Sequence, residues 1–85
     1  MSMSNLKYPL ATEKAVNMIS KNNTLVYIVD SRSTKKEIKD EFERVFKVKV
    51  SSVHTVRMPY NDKKAFITLS KDSKASDIAM KLKLV

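Results

Sequence analysis

Glycine is absent from all 85 positions of this chain, and its absence excludes several kinds of backbone geometry. Loops that cradle a phosphate group need glycine, because a residue without a Cβ lets the backbone approach closely and adopt positive φ angles. The phosphate loops of nucleotide-binding enzymes and the dinucleotide-binding fingerprint are therefore missing. Most sites for small-molecule chemistry depend on a turn of this kind, so the sequence disfavours an enzyme.

The length predicts one small domain over residues 1–85, and a hydrophobic content of 42% is enough for it to fold. The chain has no cysteine, which excludes disulfides and thiolate metal sites. No apolar run approaches the roughly 20 residues that span a bilayer, and Met1 to Tyr8 lacks the apolar stretch of a secretion signal. We expect a cytoplasmic protein with no membrane insertion, metal, cofactor or small-molecule substrate.

Hydrophobic periodicity predicts seven short elements in the order β-α-β-α-β-β-α. This order favours an α+β fold, with helices packed on a four-stranded, mainly antiparallel sheet. The run from Thr24 to Asp30 is apolar on both faces and is predicted to be a central strand, although the pattern alone also fits a buried helix segment. The predicted elements are a strand over 5–8, a helix from a Thr12 cap to about 21, the strand over 24–30, a helix from a Thr34 cap to about 46, strands over 48–58 and 65–69, and a helix from a Ser73 cap to 82.

The second helix is the best-marked element, because Thr34 and Glu37 have the spacing of a capping box. Its apolar stripe is predicted at Ile38, Phe42, Val45 and Phe46. Asp40, Glu41 and Glu43 are interleaved with basic residues, the usual pattern of a solvated helix face rather than of a paired acid/base site.

A basic β-hairpin follows, with a turn at 59–62. Val48 and Val50 point to one face of its first strand, and Val53 points to the other unless a β-bulge intervenes near Ser51-Ser52. The chain carries a net charge of +8, and residues 47–64 alone carry five basic side chains against one acidic. With Tyr60 at its tip, this hairpin suits entry into folded RNA, with cations on phosphates. A solvated edge hairpin that its lysines protect from aggregation is an equally good interpretation. Arg32, Lys35 and Lys36 form a second candidate contact, at a helix start where a phosphate would bind.

Catalysis has little support in the sequence. His54 is the only histidine, and no cluster of ligands or orienting carboxylate accompanies it. Acylphosphatase-type enzymes of similar size need a glycine-bearing phosphate loop, which this chain cannot supply because it has no glycine. A single-stranded RNA platform of the RRM kind needs aromatics in a glycine-containing motif. Tyr27 and Phe66 lie on predicted strands, but that motif is missing, and we predict a core role for Phe66.

Five segments in register resemble the universal large-subunit ribosomal protein family called L-twenty-three. The first is Pro-Leu-Ala-Thr-Glu-Lys-Ala at 9–15, which is similar to the family's P-x-x-[ST]-E-K-A. The others are Val-Asp-Ser-Arg-Ser-Thr-Lys-Lys-Glu-Ile-Lys at 29–39, the strand segments 46–50 and 53–56, Lys-Lys-Ala-Phe-Ile-Thr-Leu at 63–69, and the closing helix at 75–82. The helix at 75–82 resembles that of archaeal and eukaryotic members.

The resemblance implies a ribosomal protein of the large subunit, bound to its RNA beside the peptide exit tunnel and next to the small helical protein L-twenty-nine. It also implies a docking surface for the signal recognition particle or other exit-site factors, with Glu13 at the docking position of bacterial members. Family members approach RNA at the positions of Lys14, Arg57, Lys63 and Lys64. The full set of expected RNA-binding residues is Lys7, Lys14, Arg32, Lys35, Lys36, Lys49, Arg57, Tyr60, Lys63 and Lys64.

Three departures from the family pattern refine these expectations. The hairpin turn is short, whereas bacterial members extend it into a long glycine-rich loop that reaches into the tunnel. The long basic N-terminal tail of eukaryotic members is absent, which suggests an archaeal-type protein. His54 replaces an asparagine of many members and is a possible RNA contact. The alternative function is a free-standing protein-interaction adaptor whose lysines provide solubility.

Overall fold

The computed structural model describes residues 5–59 and 62–84, and its elements follow the predicted order. Strand boundaries differ from the predictions by at most a few residues. The elements are β1 (Leu6–Pro9), α1 (Glu13–Asn22), β2 (Thr24–Asp30), α2 (Lys35–Phe46), β3 (Val50–Arg57), β4 (Asp62–Leu69) and α3 (Ala75–Lys81).

The four strands form one antiparallel sheet in the order β1-β2-β4-β3, which places β2 and β4 in the centre. β3 and β4 form the predicted hairpin, closed where the Met58 N–H donates to the Asp62 carbonyl at 2.9 Å. The pairing register shifts between Val50 and Ser52, so of the two alternatives for this strand the bulge is the correct one. Because of this extra residue, Val50 and Val53 both pack against the same core although they are an odd number of residues apart.

The main core lies between one face of the sheet and the helices α2 and α3, and Ile19 of α1 also contributes to it. Leu25, Tyr27 and Val29 of β2 alternate onto this face, and Ile38 and Phe42 of α2 pack on them without solvent exposure. The predicted central strand is correct, since β2 is also buried on its other face. We call the sheet face that carries α2 and α3 the helix face.

Two predictions about α2 are wrong. Val45 belongs to the apolar stripe by spacing, but it is 53% exposed because it falls at the stripe's edge in the last turn. Glu41 is 6% exposed, although its acidic neighbours suggest a solvated face. Its carboxylate accepts hydrogen bonds from the Asn5 backbone N–H at 2.8 Å and from the Asn5 side-chain amide at 2.9 Å. Glu43 likewise accepts from the Val50 N–H at 2.8 Å, so both carboxylates hold backbone at strand starts.

Asn23 occupies a backbone position with positive φ, where glycine is the usual residue. It ends α1 with a φ of 53°, in the left-handed region that asparagine tolerates better than most residues. Its Oδ1 accepts from the Ala75 N–H at 2.7 Å and so caps α3 from a distant part of the chain. The predicted Ser73 cap of α3 is therefore wrong, because the Ser73 hydroxyl instead accepts from the Lys49 N–H at 3.3 Å.

Candidate nucleic-acid interface

The face of the sheet opposite the helix face is covered only in part. Residues directly opposite in antiparallel strands share a face, so Val26, Phe66 and His54 form one row across β2, β4 and β3. Leu10 and Met18 line a small hollow with Val26 and Phe66, and they cover the β2 end of this row. The half of this face formed by β3 and β4 remains at least partly exposed. We call it the open strip: Ser52, His54 and Val56 of β3, and Lys64, Phe66 and Thr68 of β4.

Two rings meet on the open strip. The centroids of His54 and Phe66 lie 6.2 Å apart with their planes inclined by 40°. Phe66 does not belong to the main core cluster, so its predicted core role is wrong. The reason is parity: Phe66 is paired with Val26 and follows Ala65, which is fully buried on the helix face. Tyr27 shows the opposite outcome, since its ring is buried edge-on against Phe42 at 5.8 Å.

Lys14 and Lys64 are brought together by the fold, although they lie far apart in the sequence. Lys14 is in the first turn of α1 and Lys64 is near the start of β4, and both line the hollow beside Phe66. Thr12 caps α1 here by accepting from the Ala15 N–H at 3.2 Å. The open strip therefore has two cations along its β2 side.

A second group of cations lies on the helix face, at the end of the sheet where the hairpin turns. Arg32, Lys35 and Lys36 are exposed around the start of α2, which the predicted Thr34–Glu37 capping box holds. Lys63 Nζ reaches this start and donates to the Ser33 carbonyl at 3.0 Å.

Arg57 is directly opposite Lys63 in the hairpin, so it shares the helix face with Lys63. Lys63 and Lys64, which are consecutive in sequence, point to opposite faces. The turn end of the sheet thus carries positive charge on both sides.

The remaining predicted cations have other surroundings. Lys7 Nζ donates to Asp62 Oδ1 at 2.8 Å, and this hydrogen bond raises the pKa of Lys7. Arg32 Nε lies 3.8 Å from Asp30 Oδ1 at an exposed position. Lys49 precedes β3 at the opposite end of the sheet, so the structure does not bring it together with the others. Tyr60 lies outside the described residues.

Comparison with known proteins gives a family for this arrangement. The family model described as ribosomal protein L23 matches residues 4–81. The chain belongs to the ribosomal protein L23 family. The large ribosomal subunit protein uL23 of Trypanosoma brucei brucei is 46% identical over 80 residues, which cover 94% of this chain and 49% of that protein. The chain thus spans about half the length of the curated relative that it matches.

Membership in the L23 family confirms the predicted class. By family the chain is a ribosomal protein, a class of structural components rather than of enzymes. Within residues 5–59 and 62–84, no group of three or more histidine, aspartate or glutamate side chains could hold a metal ion. In the same described part, no helix has the length and hydropathy to cross a membrane.

Glu13, the predicted docking residue of this L23-family protein, is the first residue of α1. It is exposed, and among the described residues its side chain makes no hydrogen bond or ion pair. Its negative charge stabilises the start of the helix through the helix dipole. The carboxylate is accessible to a partner.

Sequence reasoning missed the pairing of His54 with Phe66 and the position of Tyr8. Tyr8 is 51% exposed and opposite Ile28, in the row that continues to Lys64 and Val56. The alternation of residues along the two strands of the hairpin contained this signal. The alternation shows which residues share a face only when the pairing register of β3 and β4 across the bulge is known.

Proposed function

We propose that this chain is a structural constituent of the large ribosomal subunit and binds large-subunit ribosomal RNA with the hairpin-turn end of its sheet. The observation that carries the proposal is the placement of cations on both faces of that end. Lys64 lies on the open strip, whereas Lys63 and Arg57 lie on the helix face beside the start of α2. An element with positive charge on two sides suits insertion between RNA segments, where phosphates lie on both sides.

Phosphate contacts supply affinity and position rather than sequence discrimination. Neutralising phosphates releases counterions, so binding should weaken steeply as salt increases. Several of the cations are already paired with protein groups. Lys7 pairs with Asp62 and Lys63 pairs with the Ser33 carbonyl. Lys14 and Lys64 have no such partner among the described residues and are the clearest candidates for direct phosphate contacts.

The decisive experiment reverses two charges at two places. We would compare Lys14→Glu with Lys64→Glu, as a double variant, against Lys21→Glu with Lys71→Glu. Lys21 is in the last turn of α1 and Lys71 follows the end of β4, so the control makes the same charge change at the far ends of the same elements. Binding to fragments of large-subunit RNA is measured from about 50 to about 200 mM salt.

The variant at Lys14 and Lys64 should lose about tenfold or more in affinity and reduce the slope of log affinity against log salt by nearly two. The control should lose much less. Equal losses in both variants would show that total charge matters and location does not. A flat salt response of the parent protein would contradict the proposal.

The adaptor alternative is tested in cells rather than in solution. Cosedimentation of the chain with large subunits after a moderate salt wash supports the ribosomal role. A chain found entirely in the free pool supports an adaptor, because a structural subunit component remains bound.

We further propose that the chain lies beside the peptide exit tunnel, next to the protein L-twenty-nine, and that Glu13 helps exit-site factors such as the signal recognition particle to dock. The family resemblance motivates this proposal, and the exposed, unpaired carboxylate of Glu13 supports it. Ribosomes carrying Glu13→Ala should bind the particle more weakly than ribosomes carrying Asp77→Ala, an exposed acidic residue in the first turn of α3. Unchanged binding by Glu13→Ala ribosomes would exclude this role.

A further inference from the structure

The ring pair on the open strip lies outside the main core of the fold. The rings of Tyr27, Phe42 and Phe46 form the aromatic cluster of the main core, with centroids 4.6 to 6.4 Å apart. His54 and Phe66 lie on the opposite face, outside that core. His54 is exposed on β3, which is an edge strand of the sheet. The exposed His54 ring on this edge strand buries little apolar surface and so adds little stability.

The neighbours of these rings on the open strip are apolar, hydroxyl-bearing or positive. Val56, the next residue on the same face of β3, is 44% exposed. Lys64 is opposite Val56, and Lys14 lines the same hollow as Lys64 and Phe66. A flat ligand on the rings would therefore have two ammonium groups on one side.

The acidic residues on this face do not cancel that charge. Asp30 and Asp62 lie opposite each other at the turn end of β2 and β4, on the same side as Lys64. Asp62 accepts from Lys7, and Asp30 lies 3.8 Å from Arg32. The two carboxylates are each matched by a cation of their own. The Lys14 and Lys64 charges are left for an external anion.

We propose that the open strip binds one unpaired nucleotide of RNA, with its base stacked on His54 and Phe66 and its phosphate near Lys64 and Lys14. A nucleotide is the ligand that combines a flat ring with a negative charge a short distance away. Bases stack on aromatic side chains with little dependence on sequence, because every base has a π-face. A base inside a continuous duplex is stacked on both sides and has no free face to offer. The inference rests on the proposed RNA binding and adds a preference for an unpaired base.

The test uses two short RNA hairpins that differ at one position. One has a continuous stem, and the other carries a single bulged 2-aminopurine, whose fluorescence is quenched when it stacks. The protein variants are His54→Ala, which removes the ring, and His54→Phe, which keeps one. Ser52→Ala is the matched control, since Ser52 is exposed on the same strand and face but carries no ring.

The parent protein should bind the bulged hairpin about tenfold more tightly than the continuous one, a difference equivalent to about 1.4 kcal/mol. It should also quench the 2-aminopurine. His54→Ala should lose both the preference and the quenching, whereas His54→Phe and Ser52→Ala should keep them. This pattern would support a stacked base on the open strip.

Equal binding of both hairpins by the parent, with a steep salt dependence, would overturn this inference and leave the proposed RNA binding intact. It would also leave the open strip available to a protein partner. Loss of the preference in Ser52→Ala to the same extent as in His54→Ala would overturn the role of the rings. Failure to bind either hairpin at low salt would overturn both this inference and the proposed function.

Discussion

The two faces of the sheet are built from the same strands but differ in what they contain. The helix face carries Tyr27 beneath Phe42, with fully buried Ala65 and Ile67 beside them. The open strip carries exposed His54 and half-buried Phe66 on the same two strands of the hairpin. The difference teaches that, in the part of the sheet formed by β3 and β4, one face supplies the core and the other remains partly exposed. Strand parity decides which role each residue has.

Lys63 and Lys64 show the same division at the level of two neighbours. Lys63 turns to the helix face and ties β4 to the residue before the start of α2, through the Ser33 carbonyl. Lys64 turns to the open strip and lines the hollow with Lys14. Two adjacent lysines that look equivalent in the sequence thus have a structural role and a proposed binding role.

The largest expected effect is a difference in the free energy of unfolding between substitutions on the two faces of the sheet. Phe42→Ala should lower the free energy of unfolding by about 3–5 kcal/mol, because it leaves a cavity at a fully buried site. Val56→Ala on the open strip should change it by less than about 0.5 kcal/mol. Urea denaturation of the RNA-free protein measures both. Similar losses in the two variants would mean that the open strip is packed like a core.

A smaller effect appears at alkaline pH. Burial on the helix face raises the pKa of Tyr27 to about 12. In the unfolded chain the pKa is about 10, so the folded state holds this proton more tightly and its stabilising effect is complete below about pH 10. Stability is lost as pH rises from there towards 12, by about 1.4 kcal/mol at pH 11.

Urea unfolding near pH 9 and near pH 11 should show this loss in the parent protein. Tyr27→Phe removes the titrating group and should lose less between the same two conditions, while the lysines common to both proteins contribute equally. An identical pH dependence in the two proteins would show that the phenol is not buried.

Substitutions of the neighbouring residues Lys63 and Lys64 should affect different quantities, the first the stability of the protein and the second its RNA binding. Lys63→Met should cost about 1 kcal/mol of unfolding free energy, because the Ser33 carbonyl loses its donor. Lys64→Met should leave stability within about 0.5 kcal/mol and reduce the salt slope of RNA binding by about one. Chemical denaturation and RNA titrations on the same preparations measure the two quantities. If Lys64→Met is the more destabilised protein, the assignment of the two faces is reversed.

The smallest effect has opposite signs in the two measurements. Lys35 and Lys36 stand in the first turn of α2, where the helix dipole disfavours positive charge. Changing both to glutamate should stabilise the free protein by a few tenths of a kcal/mol each and weaken its binding to RNA. Thermal unfolding and RNA titration check this pair of results. A variant that gains stability and keeps its RNA affinity would remove the start of α2 from the interface.

Local patterns in the sequence were sufficient for most of the fold. The Thr34–Glu37 capping box and the Thr24–Asp30 strand each depend on a few adjacent residues, so composition and period reveal them. The bulge near Ser51-Ser52 remained one of two alternatives until the strand pairing was known. The prediction that Glu41 is solvated was wrong because its carboxylate binds the backbone N–H of Asn5, which lies far away in the chain.

The candidate interface was only partly predictable. The positive charge of the hairpin was visible in its composition, but its division between two faces was not. That division requires the register of β3 against β4 and the position of α2 relative to Lys63. The joining of Lys14 to Lys64 likewise depends on how α1 lies against the sheet, which is a long-range contact without a local signal.

Asn23 has a consequence for the order in which the protein matures. Its amide nitrogen donates to the Leu69, Ser70 and Ser73 carbonyls while its oxygen accepts from the Ala75 N–H, so a single side chain clasps the corner between β4 and α3. A chain emerging from its own synthesis makes Asn23 long before it makes these partners. These hydrogen bonds can form only after residues 69–75 have been synthesised, so shorter nascent chains lack this link between α1, β4 and α3.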